Sequence, residues 1–140
     1  MPLIEVVEKG QLDPCGALRA LLSSERAHEA GCIVCFVGVV RGRSKTGEPV
    51  EKVVLKGEEG DIKAFLSALV SELEREPGII DIYVGHTLGT LSVGDIITTI
   101  AVLAVDRASA FKTARRAIDK IKEEAPVELE ELIAQQRTHV

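Results

Sequence analysis

The stretch "DIITTIAVLAVDRASAFKTARRAIDKIKEEAP", residues 95–126, changes its period halfway. Up to Val105 it is apolar on both sides of an extended chain, the pattern of a strand buried on both faces. From Asp106 the spacing turns helical, and Ala110, Phe111, Ala114, Ala117, Ile118 and Ile121 form one stripe at about 100° per residue. Asp106 or Ser109 can cap the start of this helix, and Pro126 discourages its continuation beyond Ala125. A strand as apolar as 96–105 must be covered on both sides, and a second copy of the chain is one candidate cover, which points to a homodimer.

The same reading extends towards the N-terminus. Residues 2–7 form a strand, followed by a helix in "DPCGALRALLSS" with Asp13 as N-cap and Pro14 at the first helical position. "GCIVCFVGVV", residues 31–40, is a continuous apolar run and is expected as a strand buried on both faces. The cationic loop "RGRSKTGEP" leads into the strand "VEKVVLK". "DIKAFLSALVSELEREPG" is a helix that Asp61 can cap and Pro77-Gly78 ends, with a stripe of Ile62, Phe65, Leu66, Leu69, Val70 and Leu73. Two strands, "IIDIYVGH" and "DIITTIAVLAV", are joined by "TLGTLSVG", and "VELEELIAQQR" is expected as a short terminal helix. The order βαββαββαα predicts an α+β fold: one domain over 1–140, with a mostly antiparallel sheet and helices packed on one side.

Composition narrows the function classes. A chain of 140 residues suits one domain with a sizeable core. The net charge of −5 and an aromatic content of 3% leave neither a basic face nor stacking platforms, so nucleic acid is not an expected partner. "MPLIEVVEKG" carries charges and no long apolar run, so neither a secretory signal nor a membrane anchor is expected. The 3 cysteines make no disulfide framework, and the expected compartment is the cytoplasm.

An acidic chain that nevertheless gathers cations in one segment needs a reason. Lys112, Arg116 and Lys120 fall on the helix face opposite the apolar stripe and read as solvated charge. Arg107, Arg115 and Lys122 project along the edge of the stripe, where a stem packs and the charged head reaches the rim of a cleft. Arg107 opposes the helix dipole in the first turn, which an anionic ligand there would relieve. Ordinary snorkelling cations are the competing reading. "CIVC", residues 32–35, has redox or zinc spacing, but in a strand Cys32 and Cys35 point to opposite faces and no second pair exists. Buried structural thiols are therefore expected. His28, His86 and His139 show no metal spacing, so neither a metal nor a cofactor is expected. Arg43 and Lys45 are solvated loop charges, or else an extension of an anion site.

Three segments occur together: "FVGVVR" at 36–41, "HTLGTLSVGD" at 86–95, and "DRASAF…AIDKIKEEAP" at 106–126. Their order and spacing resemble the MoaE family, the large catalytic subunits of molybdopterin synthase, over roughly residues 30–126. The resemblance implies the family's α/β hammerhead fold. It implies sulfur transfer to a cyclic pyranopterin monophosphate during molybdenum cofactor biosynthesis. The implied partner is a ubiquitin-like small subunit whose C-terminal thiocarboxylate donates the sulfur to a homodimeric core. Carried over position by position, Lys122 is the implied catalytic lysine, and Val40, Arg41, Asp106 and Arg107 are substrate-binding positions, the arginines facing the pterin phosphate. The chemistry suits these residue types, since guanidinium groups hold phosphate bidentately and an ammonium can stabilise an oxyanion or move a proton.

The chain departs from the family pattern at three places. Asp106 stands where His is usual, "VELEEL" replaces a segment with a second active-site lysine so that Leu129 occupies that place, and "LKGEEG" replaces a tyrosine-rich strand end. Two functions therefore compete: a sulfurtransferase, and a paralogue that binds a ubiquitin-like tail or phosphate without turnover. A thiol redox protein would rest on "CIVC" alone.

Overall fold

The apolar run forms an interior strand of the sheet, and the helix after it packs on one face. The computed structural model describes residues 3–134. In chain order the elements are β1 (Ile4–Glu8), α1 (Pro14–Leu22), a 3-10 turn (Ala27–Glu29), β2 (Cys32–Val39), β3 (Val50–Lys56), α2 (Glu59–Leu73), β4 (Ile79–Ser92), β5 (Ile96–Ala104), α3 (Arg107–Glu124) and β6 (Glu128–Ile133). The strands run in the order β2-β5-β4-β3-β6, all antiparallel, and β1 joins β4 in parallel. This is the expected α+β fold with a mostly antiparallel sheet. None of the described helices is long and apolar enough to cross a membrane.

β5 is central, and its side chains alternate between two separate cores. Ile100, Val102 and Ala104 join Ile82 and Val84 of β4 under α2 and α3. Ala101 and Leu103 join Tyr83 beneath Ala17 and Leu21 of α1. The two long helices share one side as expected, but α1 packs on the other, so the expectation of helices on one side alone is corrected. The same fact removes the reason given for a second subunit over this strand: α1 supplies the second cover.

β2 differs from its expectation for a related reason. It lies at one edge of the sheet with alternate residues facing solvent, and Cys35, Val37 and Val39 are exposed. Cys32 is half-buried against the main core, opposite to Cys35 as strand geometry requires. The expectation of two buried thiols therefore fails at Cys35.

The segment expected as a connection, "TLGTLSVG", belongs mostly to β4. The first half of β4 pairs with β5 and β1, and beyond Leu88 the strand pairs with β3. Gly89 marks the change with φ +104°, a backbone angle that strongly favours glycine. Only Val93 to Asp95 turn the chain into β5, with Ser92 N–H donating to Asp95 Oδ2 at 2.8 Å.

The terminal helix is also corrected. Residues 128–133 form β6, antiparallel to β3, with Leu129 opposite Leu55 and Lys56 Nζ 2.7 Å from Glu130 Oε2. Alternation in "VELE" was the available signal; the deciding partner, β3, is remote in sequence. The remainder of that expected element, from residue 135, lies outside the described residues.

α3 buries Ala110, Thr113, Ala114, Ala117 and Ile121. Phe111, expected in the stripe, is 61% exposed, because β2 is the last strand on that side and no described residue beyond it covers the ring. Arg116, expected on a solvated face, is half-buried and ties α3 to the α2 side by donating to Glu76 and lying 3.7 Å from Glu72. α2 begins at Glu59, with Glu58 rather than Asp61 as the N-cap. It buries Ile62, Leu66, Leu69, Val70 and Leu73. Leu66→Ala should cost about 2–5 kcal/mol in urea unfolding, whereas Phe111→Ala should stay within about 0.5 kcal/mol. Equal costs would contradict this placement of the core.

Candidate active site

Below the C-terminal half of α3 the sheet leaves a pocket of about 320 Å³. Its floor is the start of β5 and the adjoining part of β4; its sides are the end of β2, Leu55 of β3, and the segment that enters β6. The motif glycine Gly38 keeps this space open. A Cβ there would lie 3.1 Å from Thr98 Cγ2 and 3.2 Å from Phe36 Cε1, both pocket residues. The lining is apolar except for Lys122, His86 and Thr98. Thr98 Oγ1 donates to the Gly85 carbonyl at 2.9 Å, so its proton is taken.

Lys122 therefore lies where the sequence expects it, at a cleft, and Leu129 lines the same cleft. Lys120 is outside, 3.4 Å from Glu124. Arg41 is exposed two residues beyond Val39, a pocket residue, and so stands within about 7 Å of extended chain from the rim. Val40 is 2% exposed in a core with Val50, Val53, Leu55 and Leu91. Its N–H donates to the Asp95 carbonyl and its own carbonyl accepts from Gly94 N–H, both at 2.9 Å. Val40 anchors the loop that carries Arg41, and its side chain is buried in that core.

Asp106 and Arg107 lie elsewhere. Asp106 is the N-cap of α3 and accepts from Ser109 N–H at 2.8 Å. That bond, with a further one from the Ser109 hydroxyl, holds its carboxyl below the usual range. Arg107 opens α3 and Lys122 sits in its last turn. Fifteen residues of helix separate their backbones by about 22 Å, and Arg107 is not among the residues that line this pocket. Arg115 is 85% exposed and near Asp119, on a different hollow between α3 and β2. Arg43 Nη1 donates to the Gly47 carbonyl at 3.1 Å and braces its own loop. No group of three or more His, Cys, Asp or Glu among the described residues is arranged to hold a metal.

His86, which the sequence marks only as a histidine without metal spacing, also lines this pocket, and no local pattern signals that place. It is 5% exposed, and burial pulls its pKa below the usual 6.5, partly offset by the Thr87 backbone bond. The ring is thus neutral in the fold at neutral pH. Below about pH 6.5 the unfolded chain binds a proton that the folded ring resists, so this site's contribution to stability is present above that value and lost as pH falls through the depressed one. His86→Asn should flatten the decline in urea stability between about pH 7 and pH 5 relative to wild type; an unchanged slope would contradict the burial reading.

A larger, more open hollow of about 710 Å³ lies between β1, the start of α2 and the second half of β4. It collects Glu8, Lys9 and Glu59, with Lys9 held 3.1 Å from Asp95, and offers no converging reactive groups.

Comparison with known proteins bears on this pocket. A family model described as MoaE protein matches residues 7–124. The chain is similar to a molybdopterin synthase from Staphylococcus aureus, at 25% identity and TM-score 0.82, covering 99% of each chain. It is similar to molybdopterin cofactor biosynthesis protein E from Burkholderia multivorans, at 28% identity and TM-score 0.78, over 97% of this chain and 93% of that one. A complex of subunits 1 and 2 of molybdopterin-converting factor from Helicobacter pylori shares the fold at 19% identity and TM-score 0.72, over 99% and 94%. No curated protein matches the chain. With the three motifs on β2, on the β4–β5 hairpin and on α3, and with the family model spanning most of its length, the chain belongs to the MoaE family.

Proposed function

We propose that the protein is the large subunit of a molybdopterin synthase and acts in the cytoplasm in molybdenum cofactor biosynthesis. It transfers sulfur from the C-terminal thiocarboxylate of a ubiquitin-like small subunit to a cyclic pyranopterin monophosphate. The observation that carries this reading is the pocket of about 320 Å³ in which Lys122 is, among the described residues, the sole cation lining largely apolar walls. A narrow apolar slot suits an extended peptide tail, and an ammonium at its edge attracts the anionic tail end. Few competing dipoles line the slot, so the ammonium acts strongly on the oxyanion that forms at the acyl carbon. Arg41, exposed near the rim, is the candidate for the pterin phosphate.

Arg107 joins this site only from a second copy. Its distance of about 22 Å from Lys122 along α3 replaces the two-sided strand as the reason to expect a homodimer. In a two-fold assembly each pocket would combine Lys122 of one copy with Arg107 of the other. Asp106, consumed as the helix cap, then leaves the Arg107 charge available to an anion.

Reconstitution tests the reading: the protein, a thiocarboxylated small subunit and the cyclic pterin phosphate should yield a dithiolene-bearing product. Binding of the small subunit without turnover would favour the scaffold reading, which Leu129 at the place of a second lysine supports.

A further inference from the structure

We propose that His86 is the proton acceptor of this pocket, taking a proton at Nε2 from the water that releases the donor's acyl group after sulfur has moved to the pterin. The inference rests on the sulfur-transfer reading. It starts from the hydrogen bonding of the ring. His86 Nδ1 lies 2.8 Å from the Thr87 carbonyl. A carbonyl can only accept, so Nδ1 carries the proton and Nε2 is the bare nitrogen. Among the described residues Nε2 has no hydrogen-bond partner, and the only fully buried, unpaired side-chain N or O is Thr99 Oγ1. Nε2 therefore keeps accessible surface, and the pocket is the cavity that His86 lines.

Two polar atoms are then left to meet a ligand from the lining side chains, the Lys122 ammonium and His86 Nε2. Among the described residues that line the pocket with the ring, only Lys122 is a cation and none is an anion. β2, β3 and the segment entering β6 contribute apolar groups, β5 contributes apolar groups and the committed Thr98 hydroxyl, β1 places Val6 opposite His86, and α3 contributes Lys122. Burial keeps the ring neutral at neutral pH, as an acceptor must be. A histidine needed only for packing would have no reason to turn its bare nitrogen towards an otherwise apolar cavity.

The step balances without an oxidant or reductant. Once the donor sulfur is bonded to a pterin carbon, the donor and pterin are joined as a thioester. Water adds to the acyl carbon: a C–O bond forms, and one water proton goes to Nε2. The Lys122 ammonium faces the oxyanion. The C–S bond then breaks, the sulfur stays on the pterin as a thiolate, and Nε2 returns its proton to that sulfur. The donor leaves as a carboxylate, its acid proton going to solvent.

The test compares His86→Asn with wild type in the reconstituted assay. Asn can still donate to the Thr87 carbonyl but has no basic nitrogen at the Nε2 position. We expect kcat to fall about 10²-fold with KM for the pterin phosphate little changed. The acid limb of the wild-type pH–rate profile should disappear, and His86→Gln, a non-basic acceptor, should not rescue it. Wild-type turnover in His86→Asn, or an acid limb that survives in it, would overturn the proposal. Nitrogen NMR of the wild-type ring gives a readout independent of turnover. It should show protonated Nδ1 and bare Nε2 at neutral pH, with the Nε2 signal moving when the thiocarboxylated small subunit binds. The opposite tautomer, or an Nε2 signal blind to that binding, would equally overturn it. If wild type does not turn over, the sulfur-transfer reading fails, and the ring spectrum still decides whether Nε2 is the pocket's acceptor.

Discussion

Lys122→Ala is expected to lower dithiolene formation about 10³-fold while leaving capture of the small subunit largely intact. Among the described residues Lys122 is the one cation that lines the pocket, and the walls around it are largely apolar. The tail's binding energy is spread over those walls, whereas the ammonium acts mainly where charge develops during reaction. Its removal should therefore fall on kcat more than on binding. Lys120→Ala is the control: Lys120 lies outside the pocket, beside Glu124, and its loss should change the rate less than about twofold. Lys122→Arg should not restore full activity, because a planar guanidinium is bulkier and places its donors differently. Equal rates for Lys122→Ala and Lys120→Ala in an assay that turns over would remove Lys122 from the reaction.

Mixing two inactive variants should restore activity. Arg107→Ala and Lys122→Ala preparations are each expected to be nearly inactive at low pterin concentration, the first through weak phosphate capture and the second through slow chemistry. Unfolded together and refolded, they should recover about a quarter of wild-type activity, the share given by random pairing in a two-fold dimer. Each mixed dimer then carries one pocket with both substitutions and one with neither. The expectation follows from the separation of about 22 Å between these residues on one straight helix. No recovery, with mixed dimers shown to form, would mean that Arg107 serves a different site or none. Sedimentation at a single 15.1 kDa species would remove the two-copy site altogether.

Much of the fold was legible because its signals are local. α3 follows from the stripe of Ala110, Ala114, Ala117 and Ile121 between Asp106 and Pro126, all within a few turns of one another. β5 follows from an unbroken apolar run, and α2 from its own stripe. Lys122 and Leu129 could be placed near a cleft because the spacing of "AIDKIKEEAP" carries the family's pattern, and both line the pocket.

The misread elements depend on distant partners. "VELEEL" becomes a strand because β3, 74 residues away at the Lys56–Glu130 pair, offers it an open edge. Phe111 and Cys35 are exposed because β2 ended up outermost, a fact of strand order that apolar content does not reveal. Arg116 looked solvated on a helical wheel, but α2 brings Glu72 and Glu76 to it.

The sequence by itself determined the α+β class, the long helices and the central strand, and it singled out Lys122, Arg41 and Arg107. Each of these rests on neighbours within a few residues, where periodicity, caps and motif spacing act. Tertiary structure alone decided that α1 covers the second face of β5 and that His86 looks into the pocket beside Lys122. These are distances between segments, set by which strands pair and which faces need cover, and no local pattern encodes them.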